Sequence, residues 1–324
     1  GYNRNTNPEL TKIKGLTAFS HVLTESNTTH KSVPMLMSSV TAHDFNSIYR
    51  QKGIITAFKE AGYRTAFFSN QRYNHSFIDF FGKEADICDF IKEDTGDGGY
   101  NPSDDELLKL VAAELAENVS KQFIVLHTYG SHFNYRERYP ADHAFFLPDF
   151  PVDAELKYKD NLINAYDNSI RYTDNFLARL IRMLQEQDID AAMLYTSDHG
   201  EDIFDDDRHL FLHASPVPSY YQIHVPFLIW MSDNYRKNYP DLFKNAEINR
   251  QKNISSSASF FQTMLELGGI DTPSRNDSLS VINASYTEKN RVYLNDHNEA
   301  RSLNDIGMRE EDFTMLQMKG IVYR

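Results

Sequence analysis

The sequence predicts an α/β fold with a mostly parallel central sheet and helices on both faces. Short apolar runs of strand length alternate along the chain with longer segments of helical periodicity. Strands separated by helices are joined by right-handed crossovers, which make the strands parallel and cover both faces of the sheet. The chain has 324 residues, of which 41% are hydrophobic, so it can bury a large core. No linker, repeat or low-complexity tract interrupts it, and we expect residues 1–324 to form a single domain.

The first predicted elements are two helices and two strands. The segments "SVPMLMSSVTA" (32–42) and "SIYRQKGIITAFKEAGY" (47–63) have helical character, and the strands "TAFFSN" (65–70) and "DICDFI" (86–91) follow them. Cys88 in the second strand is the single cysteine of the chain. We expect a buried, unreactive thiol there, and one cysteine excludes an intrachain disulfide and a multi-cysteine metal site.

The later elements continue the alternation. A helix is predicted over 101–117, where Ser103 and Glu106 have the spacing of a capping box in front of an apolar stripe. A long amphipathic helix and three apolar strands complete the set, with the helix at 155–187 and the strands at 122–129, 191–197 and 225–231.

Charge and hydropathy argue against two classes of partner. The net charge of −13 is the wrong sign for nucleic-acid binding, which needs a basic face. The longest apolar runs, such as residues 224–231, are far too short to cross a bilayer.

Polar residues gather where the predicted strands end, which is where α/β proteins bind ligands. Asp198 and His199 follow the strand 191–197, and a carboxylate next to an imidazole fits zinc or manganese. Two ligands alone are also typical of an ordinary polar turn. His127 and Asn70 end two other strands, but a histidine at such a place is often simply hydrogen-bonded structure.

Thr28 and Thr29 precede the first predicted helix. A threonine at a helix start can act as a nucleophile, because the first amide groups face it and a metal can lower the pKa of its hydroxyl. A structural role explains the same pattern, since Thr28, Thr29 or Ser32 can cap the helix.

Over most of its length the chain resembles the phosphoethanolamine transferases of the alkaline phosphatase and sulfatase superfamily, which modify lipid A and lipopolysaccharide. Seven motifs in the family's order carry the resemblance: "GYNRNTNPEL", "TTHKSVP", "VLHTYGSH", "INAYDNSIRYTDNFL", "YTSDHGED", "LFLHASP" and "HVPFLIWMS". The resemblance implies zinc-dependent transfer of phosphoethanolamine from phosphatidylethanolamine to lipid A or a core glycan. It also implies the periplasmic domain of a bacterial inner-membrane protein.

The resemblance assigns roles to individual residues. Thr29 matches the nucleophile that carries the phosphoethanolamine group and contacts the metal, and Asp198 and His199 match zinc ligands. One zinc ion is implied, with room for a second.

A second group of residues matches the surroundings of the reacting phosphorus. His132 and His213 match histidines that line the site or hold a second zinc, and they are the candidates for general acid and base. Glu201 matches an acid near the amino group of the substrate, and Asn70 and His127 match substrate-binding positions less closely.

The chain departs from the family pattern in two ways. Relatives carry a metal-binding glutamate on a strand about ten residues upstream of the segment that matches Gly1, so we expect that strand and the membrane helices to precede this chain. Relatives also have disulfide cysteines where this chain has Glu25 and Met35, so we expect packing to stabilise it instead.

Three alternative functions stay open. A sulfatase-like hydrolase would use a Cys/Ser-x-Pro-x-Arg motif, and here Ser32 and Pro34 are followed by Leu36 instead of arginine. A phosphoglycerol transferase would also use threonine and zinc, and a non-catalytic binding domain would explain the missing ligand. The long aromatic loop 133–153 is either a substrate lid or a packed surface segment.

Overall fold

The computed structural model describes residues 2–92 and 102–323. Its α-helices are α1 (Thr29–Met37), α2 (Ile54–Glu60), α3 (Phe77–Gly82), α4 (Asp105–Ala116), α5 (Lys159–Glu186), α6 (Tyr220–Ile223), α7 (Asp233–Asn238), α8 (Pro240–Asn249), α9 (Ser256–Leu267) and α10 (Glu310–Met318). Its strands are β1 (Leu16–Phe19), β2 (Val22–Leu23), β3 (Arg64–Ser69), β4 (Ile87–Phe90), β5 (Gln122–His127), β6 (Ala192–Thr196), β7 (Asp202–Ile203), β8 (Phe211–Leu212), β9 (Phe227–Met231), β10 (Ile254–Ser255), β11 (Val292–Leu294) and β12 (Ala300–Ser302).

Two three-stranded sheets form the centre of the fold. The order β4-β3-β5 is parallel throughout, whereas in β1-β9-β6 the middle strand is antiparallel to both neighbours. The prediction of an α/β fold is confirmed, but the parallel arrangement holds only for the first sheet. β6 and β9 are connected by the β7–β8 pair and the short α6 instead of a covering helix, so the chain returns antiparallel.

β5 and β6 are each the last strand of their sheet. No described residue pairs with the outer edge of either strand. Ile124 and Leu126 of β5 nevertheless pack in the same hydrophobic cluster as Met193 and Tyr195 of β6. The two sheets therefore share one hydrophobic cluster, and β5 and β6 each have an unpaired edge among the described residues.

Several predicted elements need correction. α1 begins at Thr29, earlier than predicted, and the helix predicted over 47–63 divides into a 3-10 segment (Ala42–Arg50) and α2. The predicted capping box of α4 is wrong, because the helix begins at Asp105 and the Ser103 hydroxyl contacts Tyr172 Oη at 2.9 Å. Cys88 is exposed on β4, so the expectation of a buried thiol is also wrong.

Glu25 and Met35 both lie in the interior. Met35 is fully buried in the cluster formed by α1, α2 and α9. The Glu25 carboxylate accepts hydrogen bonds from the Ala42 backbone N–H at 2.9 Å and from Ser255 Oγ at 2.7 Å. Burial raises the pKa of Glu25. Apolar packing and buried hydrogen bonds thus occupy the positions where relatives have cysteines.

The loop 133–153 is attached to α5 through asparagines. Asn168 Oδ1 accepts from the N–H groups of Phe145 at 3.0 Å and Phe146 at 2.8 Å, and Asn164 Nδ2 donates to the Pro148 carbonyl at 2.8 Å. The loop backbone is therefore held in place along the helix. No helix among the described residues has the length and hydropathy needed to span a membrane.

Candidate active site

Thr29 is the first residue of α1, and its hydroxyl faces a histidine. Thr28 before it has extended backbone (φ −133°, ψ 132°), which turns the chain into the helix, but its side chain makes no capping hydrogen bond. Thr29 Oγ1 lies 3.1 Å from His199 Nε2. The Thr29 hydroxyl therefore does not cap the helix. Instead it points toward the end of β6.

Asp198 and His199 follow β6 and lie beside Thr29. The Asp198 backbone carbonyl accepts from Thr24 Oγ1 at 2.9 Å, which fixes the turn, and its Oδ2 lies 3.4 Å from His199 Nε2. Desolvation tends to raise the pKa of Asp198, but attraction to His199, a hydrogen bond from Thr29 and attraction to His127 together lower it. The local environment therefore favours a carboxylate.

The three donor atoms have the spacing of a metal site. Two ligand atoms on a tetrahedral zinc with bonds of about 2.0 Å are separated by about 3.3 Å. The separations of His199 Nε2 from Thr29 Oγ1 (3.1 Å) and from Asp198 Oδ2 (3.4 Å) match this value. His199 Nδ1 lies 3.0 Å from the Gly200 carbonyl oxygen, which can only accept, so an Nδ1–H group donates to it while Nε2 faces Thr29 and Asp198.

The described residues do not supply a complete ligand set. Nowhere in 2–92 or 102–323 do three or more His, Cys, Asp or Glu side chains gather closely enough to hold a metal ion. Zinc sites use three or four ligands, so the described His, Cys, Asp and Glu side chains do not complete one by themselves, and Asp198, His199 and Thr29 are candidate ligands.

A buried polar clamp positions the turn that carries His199. The Gly200 N–H donates to the Gln222 carbonyl at 2.8 Å, and a Cβ at Gly200 would lie 2.1 Å from the Tyr221 carbonyl oxygen. The Gln222 side chain donates to Asp202 and accepts from Asn27, both at 2.5 Å. The clamp thus ties the loop before Thr29 to the loop after His199.

Glu201 and His213 form a pair next to this centre. His213 Nδ1 lies 3.2 Å from Glu201 Oε1, and the buried Tyr135 hydroxyl donates to Glu201 Oε2. The His199 and His213 rings are 4.0 Å apart between centroids. Positive φ at the residues flanking His213, Leu212 and Ala214, turns the imidazole out of β8 toward the site.

His132 lies at the rim of the group. It is exposed, and its ring centroid is 6.3 Å from that of His213 and 5.2 Å from that of Tyr129. It is therefore farther from Thr29 than the other predicted catalytic histidine.

Asn70 and His127 lie on the adjacent ends of β3 and β5. The Asn70 N–H donates to the His127 carbonyl at 2.9 Å, and Asn70 Nδ2 donates to Asp104 Oδ1 at 2.8 Å. Asn70 Oδ1 is buried and has no partner among the described residues. Desolvation lowers the pKa of His127, while Asp198 opposes this effect. Asp198 is thus close enough to His127 to affect its charge.

Sequence reasoning missed the residues that hold the site together. Asn27 is buried, and its Oδ1 accepts from Tyr293 Oη at 2.6 Å. Gln222 and Tyr135 gave no signal because their partners are distant in sequence. Asp104, which accepts from Asn70, could have been identified as a helix-start residue because it directly follows the predicted cap Ser103.

Comparison with protein families places the chain among the sulfatases. The Sulfatase family model matches residues 1–270. The phosphoethanolamine transferase EptC of Escherichia coli O18:K1:H7 (strain RS218 / NMEC) is 25% identical over 302 residues, covering 90% of this chain and 51% of the relative. The Kdo(2)-lipid A phosphoethanolamine 7''-transferase of Escherichia coli (strain K12) is 30% identical over 259 residues, covering 78% of this chain and 45% of the relative. The chain thus spans about half the length of these curated relatives.

A solved structure agrees with the fold. The C-terminal periplasmic domain of EcEptC from Escherichia coli, in complex with Zn, superposes with a TM-score of 0.84 at 23% identity, covering 95% of this chain and 88% of that domain. The resemblance drawn from the sequence is therefore confirmed. The chain belongs to the sulfatase family, and its matched relatives there are phosphoethanolamine transferases.

Proposed function

We propose that the chain transfers phosphoethanolamine from phosphatidylethanolamine to a cell-envelope acceptor, lipid A or a lipopolysaccharide core glycan, through a covalent intermediate on Thr29. The observation that carries the proposal is the spacing of Thr29 Oγ1, His199 Nε2 and Asp198 Oδ2, with separations of 3.1 Å and 3.4 Å about the imidazole nitrogen. The activities named for the matched relatives support the same reaction.

Asp198, His199 and Thr29 would hold a zinc ion. When bound, zinc supplies positive charge that lowers the pKa of the threonine hydroxyl and offsets charge on the phosphoryl oxygens. The zinc complex of the similar EcEptC domain supports this choice of metal. His132 and His213 are the candidates for a second ion.

The reaction has two displacement steps at phosphorus. First, Thr29 Oγ1 forms a bond to phosphorus while the bond from phosphorus to the diacylglycerol oxygen breaks, and diacylglycerol leaves with a proton. Then an acceptor hydroxyl forms the new bond, loses its proton, and Thr29 leaves with its hydroxyl restored. His213, whose ring lies 4.0 Å from that of His199, is the nearer acid and base, and His132 is the outer one.

Glu201 would bind the substrate ammonium group. Its carboxylate is held by His213 and Tyr135 near the proposed nucleophile. A partly buried carboxylate attracts a cation such as the ammonium group. Asn70, with an unpaired buried oxygen, and His127 would contact the rest of the head group.

We assign the missing metal ligand to an upstream strand. We infer that one strand fits in a slot between β5 and β6, because each has an unpaired edge among the described residues and because His127 at the end of β5 and Asp198 after β6 influence each other electrostatically. A strand in this slot would join the two sheets and end next to the site. In the whole protein this domain would lie in the periplasm, with membrane helices preceding that strand.

Intact-protein mass spectrometry tests the proposal. A chain extended upstream is incubated with zinc and phosphatidylethanolamine, next to the variants Thr29→Ala and Thr28→Ala. We expect a phosphoethanolamine adduct on the parent and on Thr28→Ala, whose lost hydroxyl contacts Ser26, and none on Thr29→Ala. A parent that binds zinc and forms no adduct would contradict the proposal.

The same experiment distinguishes the alternatives. A phosphoglycerol adduct from phosphatidylglycerol would indicate a phosphoglycerol transferase, and release of inorganic sulfate from a sulfate ester would indicate a hydrolase. Absence of all three activities would leave a binding domain.

A further inference from the structure

Cationic side chains surround one aromatic ring at the rim of the site. Lys92 Nζ lies 4.4 Å and Arg138 Cζ lies 4.0 Å from the centroid of the Tyr129 ring. Each distance is within the range of a cation–π contact. Two cations on one ring are unusual in a chain whose net charge is −13.

Lys92 is the cation without a protein counter-ion. Among the described residues it has no hydrogen bond or ion pair, whereas Arg138 donates to Glu137 at 2.9 Å and to the Asn134 carbonyl at 3.1 Å. Desolvation, followed by repulsion from Arg138 and Arg72, lowers the pKa of Lys92, and Glu137 opposes them less strongly. Lys92 and Arg138 therefore lie close together on the same ring.

This cluster is connected to the reacting threonine through a row of rings. The centroid of Tyr129 is 5.2 Å from His132, His132 is 6.3 Å from His213, and His213 is 4.0 Å from His199. The backbone of Tyr129 is fixed because its N–H donates to Asp104 at 2.8 Å. The cations on Tyr129 therefore lie next to His132, at the exposed end of this row of rings.

We propose that Lys92 and Arg138, presented on Tyr129, form a subsite for an oxyanion on the acceptor, a phosphate or a carboxylate group carried by a sugar. An acceptor hydroxyl must enter the site after diacylglycerol leaves, and the rim at His132 is the exposed side of the histidine row. A positively charged rim attracts an acidic sugar and does not attract a neutral one. This inference rests on the proposed function and specifies the class of acceptor.

Calorimetric titration of Thr29→Ala protein measures acceptor binding without turnover. The ligands are a hexosamine 1-phosphate, the sugar acid Kdo, a neutral hexosamine and inorganic phosphate. We expect Lys92→Gln to weaken binding of a charged sugar about fivefold, with no change for the neutral sugar, and Lys92→Arg to restore it. Comparing the loss of affinity for hexosamine 1-phosphate with that for Kdo shows whether the subsite binds a phosphate or a carboxylate.

Lys121→Gln is the matched control. Lys121 also lies over a tyrosine, with Nζ 5.3 Å from the Tyr63 ring centroid, but it precedes β5 at the opposite end of the sheet. Equal affinities in parent and Lys92→Gln, equal losses for charged and neutral sugars, or inorganic phosphate bound as tightly as the sugars would overturn the assignment. Because binding is measured without transfer, failure to form the Thr29 adduct does not alter this result.

Discussion

At the scale of single residues, Gly200 shows how a steric requirement supports chemistry. Its Cα faces the backbone of α6 so closely that no side chain fits, and its N–H is bonded to the Gln222 carbonyl. This contact fixes the peptide next to His199, whose Nδ1 bonds the Gly200 carbonyl.

Gly200→Ala is expected to destabilise the fold by about 3 kcal/mol, because the added methyl group would overlap the Tyr221 carbonyl oxygen. Gly62→Ala is the control. Gly62 has φ +82° but open space around it, so we expect a cost of about 1 kcal/mol from backbone strain alone. Urea unfolding of both variants measures the difference, and equal costs would show that the contact at Gly200 relaxes easily.

Tyr135→Phe removes the hydroxyl that donates to Glu201 while keeping the aromatic packing. We expect the KM for phosphatidylethanolamine in adduct formation to rise several-fold with little change in kcat, because the carboxylate loses one of the groups that orient it. Tyr139→Phe, which loses a bond to Asp149 in the same loop, should leave KM unchanged. A fall in kcat alone would argue against a role for Glu201 in binding.

At this scale the sequence indicated the candidate site residues better than the residues that support them. Thr29, Asp198, His199, Glu201 and His213 lie together as expected. Their supports, including Gln222 and Tyr135, are recognised only by contacts between residues far apart in sequence, which no local pattern contains.

At the scale of elements, the site depends on two loops joined by one buried network. Asp202 begins β7 and accepts hydrogen bonds from Ser219 and Gln222, and through Gln222 it is connected to Asn27 near the start of α1. Burial is the main cause that raises the pKa of Asp202 to about 6.

The raised pKa of Asp202 predicts a pH-dependent stability. Between the unfolded value near 4 and about 6, the folded chain holds the proton that the unfolded chain has lost, so stability falls as pH rises through this window. The loss amounts to at most about 3 kcal/mol, and Asp202→Asn should remove this part of the slope. Urea unfolding of parent and variant across the window gives the comparison, and identical slopes would contradict the assignment.

Elements were predicted well where their periodicity is long or their apolar run is clear. α5 and the strands β3, β5, β6 and β9 lie within a few residues of the predicted segments. The start of α1 was displaced because Pro34 resembles a first-turn proline, whereas it lies inside the helix. The antiparallel direction of β9 depends on the connection from β6, which alternation alone does not determine.

At the scale of the whole molecule, the central strands form two sheets, and the proposed slot lies between the unpaired edges of β5 and β6. Their unpaired backbone groups would be satisfied by one added strand, which would also extend the shared hydrophobic cluster.

Extending the chain upstream by one apolar strand that ends in a glutamate should raise both stability and zinc affinity. We expect a higher Tm without metal, from strand pairing, and at least tenfold tighter zinc binding from the added carboxylate ligand. Replacing that glutamate by glutamine should keep the gain in Tm and lose the gain in affinity. An extended chain with unchanged Tm would show that the slot does not accept this strand.

Cys88 gives the molecule a practical property. An exposed thiol that is the single cysteine of the chain accepts one maleimide fluorophore per molecule without any substitution. Desolvation, together with Asp79 and Asp89, raises the pKa of this thiol, so labelling will proceed faster in mildly alkaline buffer. Because β4 continues directly toward Lys92, a dye on Cys88 will report occupancy of the acceptor side in real time.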